Sequence, residues 1–133
     1  MHIPSISVII PVHNGENYLE EALASLAVQT FADFEIIVAD NASTDATPDI
    51  LGRWSVREPR LRTLRLDRNR LAASLNRAAD IARAPILARL DADDIARPDR
   101  FERQHAALRE RPSVGLIGSS ATLLDGGGRR LGE

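Results

Sequence analysis

The chain has 133 residues, with 44% hydrophobic and 27% charged side chains and a formal net charge of −2. A chain of this size and balance folds around one core and buries roughly two thirds of its unfolded surface, which argues against disorder. Its charge argues against wholesale binding to nucleic acid or an anionic membrane. No apolar run approaches the ~20 residues of a membrane span. The start, Met1-His2-Ile3-Pro4-Ser5, has no basic region followed by an apolar stretch, so no secretory leader is read there. Cysteine is absent, which removes disulfides and thiolate metal sites and is compatible with a reducing compartment. The expectation is a single cytoplasmic domain over residues 1–133, with no membrane segment and no nucleic-acid partner.

The near-continuous apolar run Ile6-Ser7-Val8-Ile9-Ile10 predicts a strand covered on both faces. Asn14-Gly15-Glu16-Asn17 then turns into a helix carrying Leu19, Leu23 and Leu26 on one face and ending near Gln29. A second strand, Phe34 to Ala39, runs into the turn-forming cluster Asp40-Asn41-Ala42-Ser43-Thr44-Asp45. Thr47-Pro48 predicts a helix start, with Thr47 as cap, and Ile50, Leu51 and Trp54 as the buried face. Leu61 to Leu66 alternates and predicts a third strand at a sheet edge. A third helix follows from Leu71 to Ala82, stopped by Pro85. Ile86 to Leu90 predicts a fourth strand, Pro98 opens a fourth helix, and Val114-Gly115-Leu116-Ile117-Gly118 predicts a fifth strand. Residues 125–133 read as a turn and a flexible tail.

Strand and helix alternating four times predict an α/β fold, a mostly parallel sheet with helices on both faces. Ligands of such sheets sit at the carboxyl ends of the strands. Those ends carry His13-Asn14, Asp40-Asn41, Asn69-Arg70 and Asp91-Ala92-Asp93, four polar loops on one edge. The most charged of them, Asp91-Ala92-Asp93-Asp94, places three carboxylates within four residues. Two carboxylates about 5 Å apart repel by roughly 3 kcal/mol at an effective dielectric near 20. A hard divalent cation would relieve this, using one or two carboxylates and taking the rest of its oxygen ligands from water and phosphate. A calcium loop of the EF-hand type does not fit, because Ala96 stands where glycine is needed and a strand precedes the loop. A phosphoryl-transfer aspartate would need a lysine partner, and the chain has no lysine. His13 could touch a ligand or close a turn, and Asp40 could cap its own turn or recognise a base or ribose. His2 and His105 look incidental, Trp54 belongs to the core, and the basic stretch Arg57 to Arg70 reads as solvated faces without a partner.

From Ser5 to about Ser119 the sequence resembles the family 2 glycosyltransferases, which have the GT-A fold, a Rossmann-like parallel sheet. Ser7 to Asn14 is similar to that family's opening strand and loop, and Ile36 to Asp45 to its second. Asp91-Ala92-Asp93-Asp94 with Arg97-Pro98-Asp99-Arg100-Phe101-Glu102 is similar to its DXD segment and following helix. The resemblance implies binding of a nucleotide-diphosphate sugar, with a UDP-sugar expected, for glycan or polysaccharide biosynthesis. It implies that Pro11, Val12, His13, Asn14, Glu16, Asn69 and Ala92 line the nucleotide pocket and that Asp40 meets the nucleobase. Asp91 would touch the ribose or the metal shell, and Asp93 would ligate Mn²⁺ or Mg²⁺. Asn69-Arg70-Leu71-Ala72 departs from the family pattern by lacking a glycine. The acceptor site and the acidic catalytic base of this family lie in a later half, so the expectation is a donor-binding part truncated at its C-terminal side, with no catalytic base of its own. The alternative is a non-catalytic nucleotide-binding module that serves a partner protein. An exposed sheet edge makes self-association a further expectation.

Overall fold

The computed structural model describes residues 1–132. The elements are β1 (Ile6–Val12), α1 (Leu19–Ala27), β2 (Phe34–Asn41), α2 (Thr47–Arg57), β3 (Leu61–Leu66), α3 (Leu71–Ile81), β4 (Ile86–Arg89), α4 (Arg100–Glu110), β5 (Leu123–Leu124) and β6 (Arg130–Gly132). Strands β1 to β4 form one parallel sheet in the order β3-β2-β1-β4. Two compact units are distinguished, the first spanning Met1–Glu102 and the second beginning at Arg103.

Every residue of β1 and β2 is buried, which explains their unbroken apolar runs. Because side chains alternate along a strand, each strand feeds two cores. Ile6, Val8, Ile10 and Val12 of β1 join Phe34, Ile36 and Val38 of β2 against Leu19, Leu23 and Leu26 of α1 and Ile50, Leu51 and Trp54 of α2. On the other face Ile9, Ile37 and Ala39 pack on Leu75, Ala78 and Ile81 of α3. Each fully buried aliphatic side chain contributes about 1.5–3 kcal/mol, and a one-residue slip would exchange the two sets, so the register is strongly specified. Trp54 takes the core position expected of it. β3 pairs only with β2, the outer position its alternation predicts.

This order positions the site. The chain moves from β1 outward to β2 and β3, then returns to the opposite side of β1 to lay down β4. The strand order therefore reverses between β1 and β4, and in open parallel sheets the binding crevice opens outside the carboxyl ends at that point.

Two local expectations are corrected. The strand expected over Val114–Gly118 is absent: the segment is coil and Leu116 is 89% exposed. An apolar run becomes a strand only where a neighbour satisfies its backbone, and no strand pairs with it among the described residues. Helix α4 begins at Arg100, two residues after Pro98, because the Pro98 carbonyl accepts the Thr30 N–H instead of opening the helix. In the second unit, the expected turn at Asp125–Gly128 joins β5 to β6 as a short hairpin. Asp125 Oδ1 accepts the N–H groups of Gly127 and Arg129, and Gly128 supplies the left-handed φ of 80° that the turn needs. Glu133, the last residue of that expected tail, lies outside the described residues. No helix among the described residues is long and apolar enough to cross a membrane.

Candidate functional site

The loops after β1 and β2 are laced together by hydrogen bonds. The His13 ring donates through Nδ1 to the Asn41 carbonyl at 2.7 Å, which leaves Nε2 to accept from Asn14 Nδ2 at 3.3 Å. Asn14 N–H donates to Ser43 Oγ, and Asn14 Oδ1 accepts the Thr44 N–H at 2.8 Å. Gly15 N–H donates to Thr47 Oγ1 at 2.9 Å, and Glu16 N–H to Asp45 Oδ2 at 3.1 Å. Glu16 Oε2 accepts the Ala46 N–H and Asp45 Oδ1 the Thr47 N–H, so two carboxylates sit at the positive end of α2. The helix begins with Ala46 in the cap position and Thr47 inside it, so Thr47 does not act as the cap: its hydroxyl is turned toward Gly15. Burial raises the Asp45 carboxyl, but hydrogen bonds from Thr47 and the Glu16 backbone outweigh it and hold the group below its ordinary value.

Both loops carry a non-glycine residue in left-handed backbone, Asn14 at φ 51° and Ala42 at φ 53°. Asparagine tolerates this region. Alanine does so at a cost of order 1 kcal/mol, which the surrounding hydrogen bonds offset.

Asp40 is 1% exposed. Its Oδ1 accepts the Ser43 N–H, closing the turn, and its Oδ2 is paired with the Arg65 guanidinium, which also donates to the Ser43 carbonyl. Of the two roles open to it from sequence, the turn-closing one is realised. Asn41 is buried beside it and donates to Ser74 Oγ on α3, while its Oδ1 has no partner. Asn69 is exposed on the loop after β3 and makes no side-chain hydrogen bond among the described residues.

The acidic turn is fixed at both ends. On its N-terminal side β4 pairs with β1, and Leu90 N–H continues the ladder to the Ile9 carbonyl. On its C-terminal side Ala96 N–H donates to Ser25 Oγ of α1, Gln29 Nε2 donates to the Arg97 carbonyl, and Gln29 Oε1 accepts the Phe101 N–H. Within the turn Asp94 N–H donates to the Asp91 carbonyl, and Arg89 Nε reaches Asp91 Oδ1 at 2.9 Å. Burial, then repulsion from Asp93 and Asp91, pushes the Asp94 carboxyl up, with Arg100 and Arg89 pulling the other way.

Gly15 joins the first loop to this turn. A Cβ built on Gly15 would stand 3.9 Å from the Ala92 Cβ and 2.5 Å from Val12 Cγ2. Val12 is 4% exposed and cannot withdraw, so Gly15→Ala is expected to cost about 1–3 kcal/mol by overpacking. Urea denaturation checks this; an unchanged midpoint would mean the loop absorbs the methyl freely.

The structure therefore brings together His13, Asn14 and Glu16 with the Asp40–Asp45 turn, and sets Ala92 against Gly15, while Asn69 stands apart. Ser43, Asp45, Thr47 and Arg65 were not singled out from sequence as functional. The turn-forming cluster at residues 40–45 is the signal for Ser43 and Asp45, the helix start for Thr47, and the basic stretch Arg57 to Arg70 for Arg65.

Among the described residues no group of three or more histidine, aspartate or glutamate side chains stands ready to enclose a metal. The oxygen donors of the acidic turn fit a more open arrangement, in which one or two carboxylates hold a hard cation and phosphate oxygens and water complete its shell.

A family model, Glycosyl transferase family 2, matches residues 7–129. The chain belongs to this family. It is 35% identical to the uncharacterized glycosyltransferase MJ1057 of Methanocaldococcus jannaschii, over 100% of this chain and 47% of that protein. It is 34% identical to the putative glycosyltransferase EpsE of Bacillus subtilis, over 92% of this chain and 45% of that one. The family 2 chain thus spans under half the length of these relatives. Staphylococcus aureus TarS 1-349 in complex with UDP superposes with a TM-score of 0.77 and 28% identity, covering 91% of this chain and 39% of TarS. The mannosyltransferase PcManGT from Pyrobaculum calidifontis, in complex with GDP-Man and Mn²⁺, gives a TM-score of 0.72 and 27% identity, over 93% and 36% of the two chains. The fold is the GT-A fold of these glycosyltransferases, a mostly parallel sheet flanked by helices.

Proposed function

We propose that this family 2 domain binds a UDP-sugar with the help of a divalent cation and serves as the donor-binding part of an inverting glycosyltransferase. One observation carries the reading: the loops after β1, β2 and β4 are held together at the reversal of strand order, with the acidic turn against Gly15. The TarS complexes with UDP and UDP-GlcNAc support the choice of uridine, and the PcManGT complex supports a cation.

In this reading His13, Asn14 and Glu16 form the nucleotide-facing wall, and Pro11 and Val12, buried at the end of β1, support it from beneath. Asp40 is assigned the nucleobase, which reaches its buried carboxylate only where the half-exposed Arg65 side chain turns aside. Asn69 and Ala92 border the pocket. Asp93 holds Mn²⁺ or Mg²⁺, and Asp91, oriented by Arg89, completes the shell or meets the ribose. The cation, when bound, offsets the negative charge that grows on the departing diphosphate. This chain's contribution is to hold the donor and to restrain the acidic turn through α1, so that binding pays little for ordering a loop. No residue is assigned as catalytic base.

Calorimetric titration with UDP, GDP and dTDP, each with Mn²⁺ and with chelator, tests the proposal. UDP is expected to bind with Mn²⁺ and at least tenfold more weakly with chelator, and Asp93→Ala should abolish that difference without altering the fold. Absence of nucleotide binding in the presence of metal would overturn the site, and an intact metal effect in Asp93→Ala would overturn the role of Asp93.

A further inference from the structure

Two arginines bracket the acidic turn. Arg89 is the last residue of β4 and Arg100 the first of α4, so one guanidinium arrives from each side of the three carboxylates. They are held differently. Arg100 Nη2 donates to the Arg89 carbonyl at 2.9 Å, and its Cζ lies 5.4 Å from the centroid of the Phe101 ring. This clasp joins the two ends of the turn. Burial pushes the Arg100 guanidinium down, and the Asp94 charge supports it. Arg89 is loose by comparison: its side chain is 50% exposed and reaches the turn through Nε, which donates to Asp91 Oδ1 at 2.9 Å.

Charge decides what this arrangement does. Asp91, Asp93 and Asp94 face Arg89 and Arg100, which leaves one negative charge in excess when no cation is bound. A dication entering beside Arg89 meets a guanidinium. At about 6 Å that repulsion lowers affinity about tenfold even at the dielectric of water, and severalfold once salt at about 0.1 M screens it. Turning Arg89 away from Asp91 removes the repulsion. The arginine loses little by doing so, because an exposed ion pair is worth at most about fivefold in an equilibrium constant.

We propose that Arg89 is an exchangeable counter-ion: it holds the place of the divalent cation at Asp91 in the metal-free protein and turns out to solvent when the cation binds, while Arg100 stays. This rests on the donor reading given above and takes the first of the two roles assigned to Asp91, in the metal shell. The empty turn is thereby kept near neutral, and its cation affinity is set lower than the carboxylates and Arg100 alone would make it.

Two measurements test the exchange. Mn²⁺ binding is followed by the EPR signal of the free ion in wild type, R89Q, D91N and R89Q/D91N, with UDP present and with the Mn²⁺ held by UDP alone subtracted. R89Q is expected to bind Mn²⁺ about threefold more tightly than wild type or better, and R89Q/D91N about as tightly as D91N. R89K, which keeps the charge, should stay closer to wild type than R89Q. In the second measurement the Arg89 Nε–H resonance, assigned by its absence in R89Q, is followed by NMR as Mg²⁺ is added to wild type with UDP. It should move to the position of a solvated arginine, where it should already stand in D91N; this arm does not depend on the stability of R89Q. Equal or weaker Mn²⁺ binding in R89Q, the same gain in the D91N background, or an Arg89 resonance that saturating Mg²⁺ leaves in place would overturn the exchange and leave the donor reading standing. Absence of protein-bound Mn²⁺ in wild type with UDP would overturn the donor reading, and the exchange with it.

Discussion

Glu35→Ala is expected to destabilise the first unit by about 3 kcal/mol at neutral pH, measured by urea denaturation. Glu35 lies in the middle of the sheet, and its side chain is 2% exposed. Its Oε1 accepts Ser7 Oγ–H at 2.7 Å and the Arg83 N–H at 2.8 Å, while Oε2 accepts Arg83 Nε–H at 2.8 Å and Arg62 Nη1–H at 3.1 Å. Ser7 is its register partner on β1, Arg62 stands on β3, and Arg83 lies in the connection from α3 to β4. One carboxylate thus ties together β1, β2, β3 and the approach to β4. Removing it takes the carboxylate from both guanidinium groups and leaves Arg62 the Ile81 carbonyl. Because Arg62 and Arg83 are 41% and 44% exposed, they can turn toward water, which keeps the loss near the lower end of the range for broken buried pairs.

The pH dependence follows with a definite sign. Burial by itself would raise the Glu35 carboxyl, but the hydrogen bonds from Ser7, Arg83 and Arg62 outweigh it and hold the group below its ordinary 4.5. A depressed folded value means that the unfolded chain binds the proton first. The stabilisation is therefore complete above 4.5 and is lost as pH falls through the folded value. Wild type and Glu35→Ala should converge in stability in acid. A loss below 1 kcal/mol, or a difference as large at pH 3 as at pH 7, would show that the buried cluster carries little net stability.

Glu35 also illustrates what sequence could and could not reveal. The strands were legible because double-sided burial leaves a simple mark: Phe34, Ile36 and Val38 serve one core while Ile37 and Ala39 serve the other, so apolar residues run on without a break. Glu35 sits inside that run as an apparent exception, explained only by arginines 27 and 48 residues away. The site shows the same division. Its loops could be placed on one edge from the alternation of elements, and the acidic turn stands out as charge. The lacing could not be read, since Asn14, Gly15 and Glu16 find partners about 30 residues on, and no local pattern encodes such pairs. Asp40 shows the limit at a single residue: sequence allowed a turn or a base contact, and it could not reveal that Arg65, 25 residues on, pairs with the carboxylate that closes the turn. Val114 to Gly118 shows the converse error, because β-branched and apolar character without a pairing strand does not make a strand.

Phe101→Ala is expected to cost about 3–5 kcal/mol, with its local consequences concentrated around the acidic turn. Phe101 is 1% exposed and meets Phe34 edge to face, with ring centroids 5.3 Å apart at 71°. Such a pair adds about 0.5–1.5 kcal/mol to the burial itself. The ring anchors the whole segment after the turn, where Ala96 N–H, the Arg97 and Pro98 carbonyls and the Phe101 N–H are all held by Ser25, Gln29 and Thr30. None of these hydrogen bonds is strong enough alone to resist fraying, because each is worth only about 1 kcal/mol net. With the ring removed, a cavity opens beneath them and the segment loses the contact that keeps their geometry. Native-state hydrogen exchange should therefore accelerate more at the Ala96, Thr30 and Phe101 amides than at Val8 or Ile36 in the sheet. Phe101→Leu, which refills much of the volume, should recover more than half of the lost stability while losing the edge-to-face term. Uniform acceleration across the sheet and the turn would show that Phe101 stabilises the unit globally and does not hold the acidic turn in place.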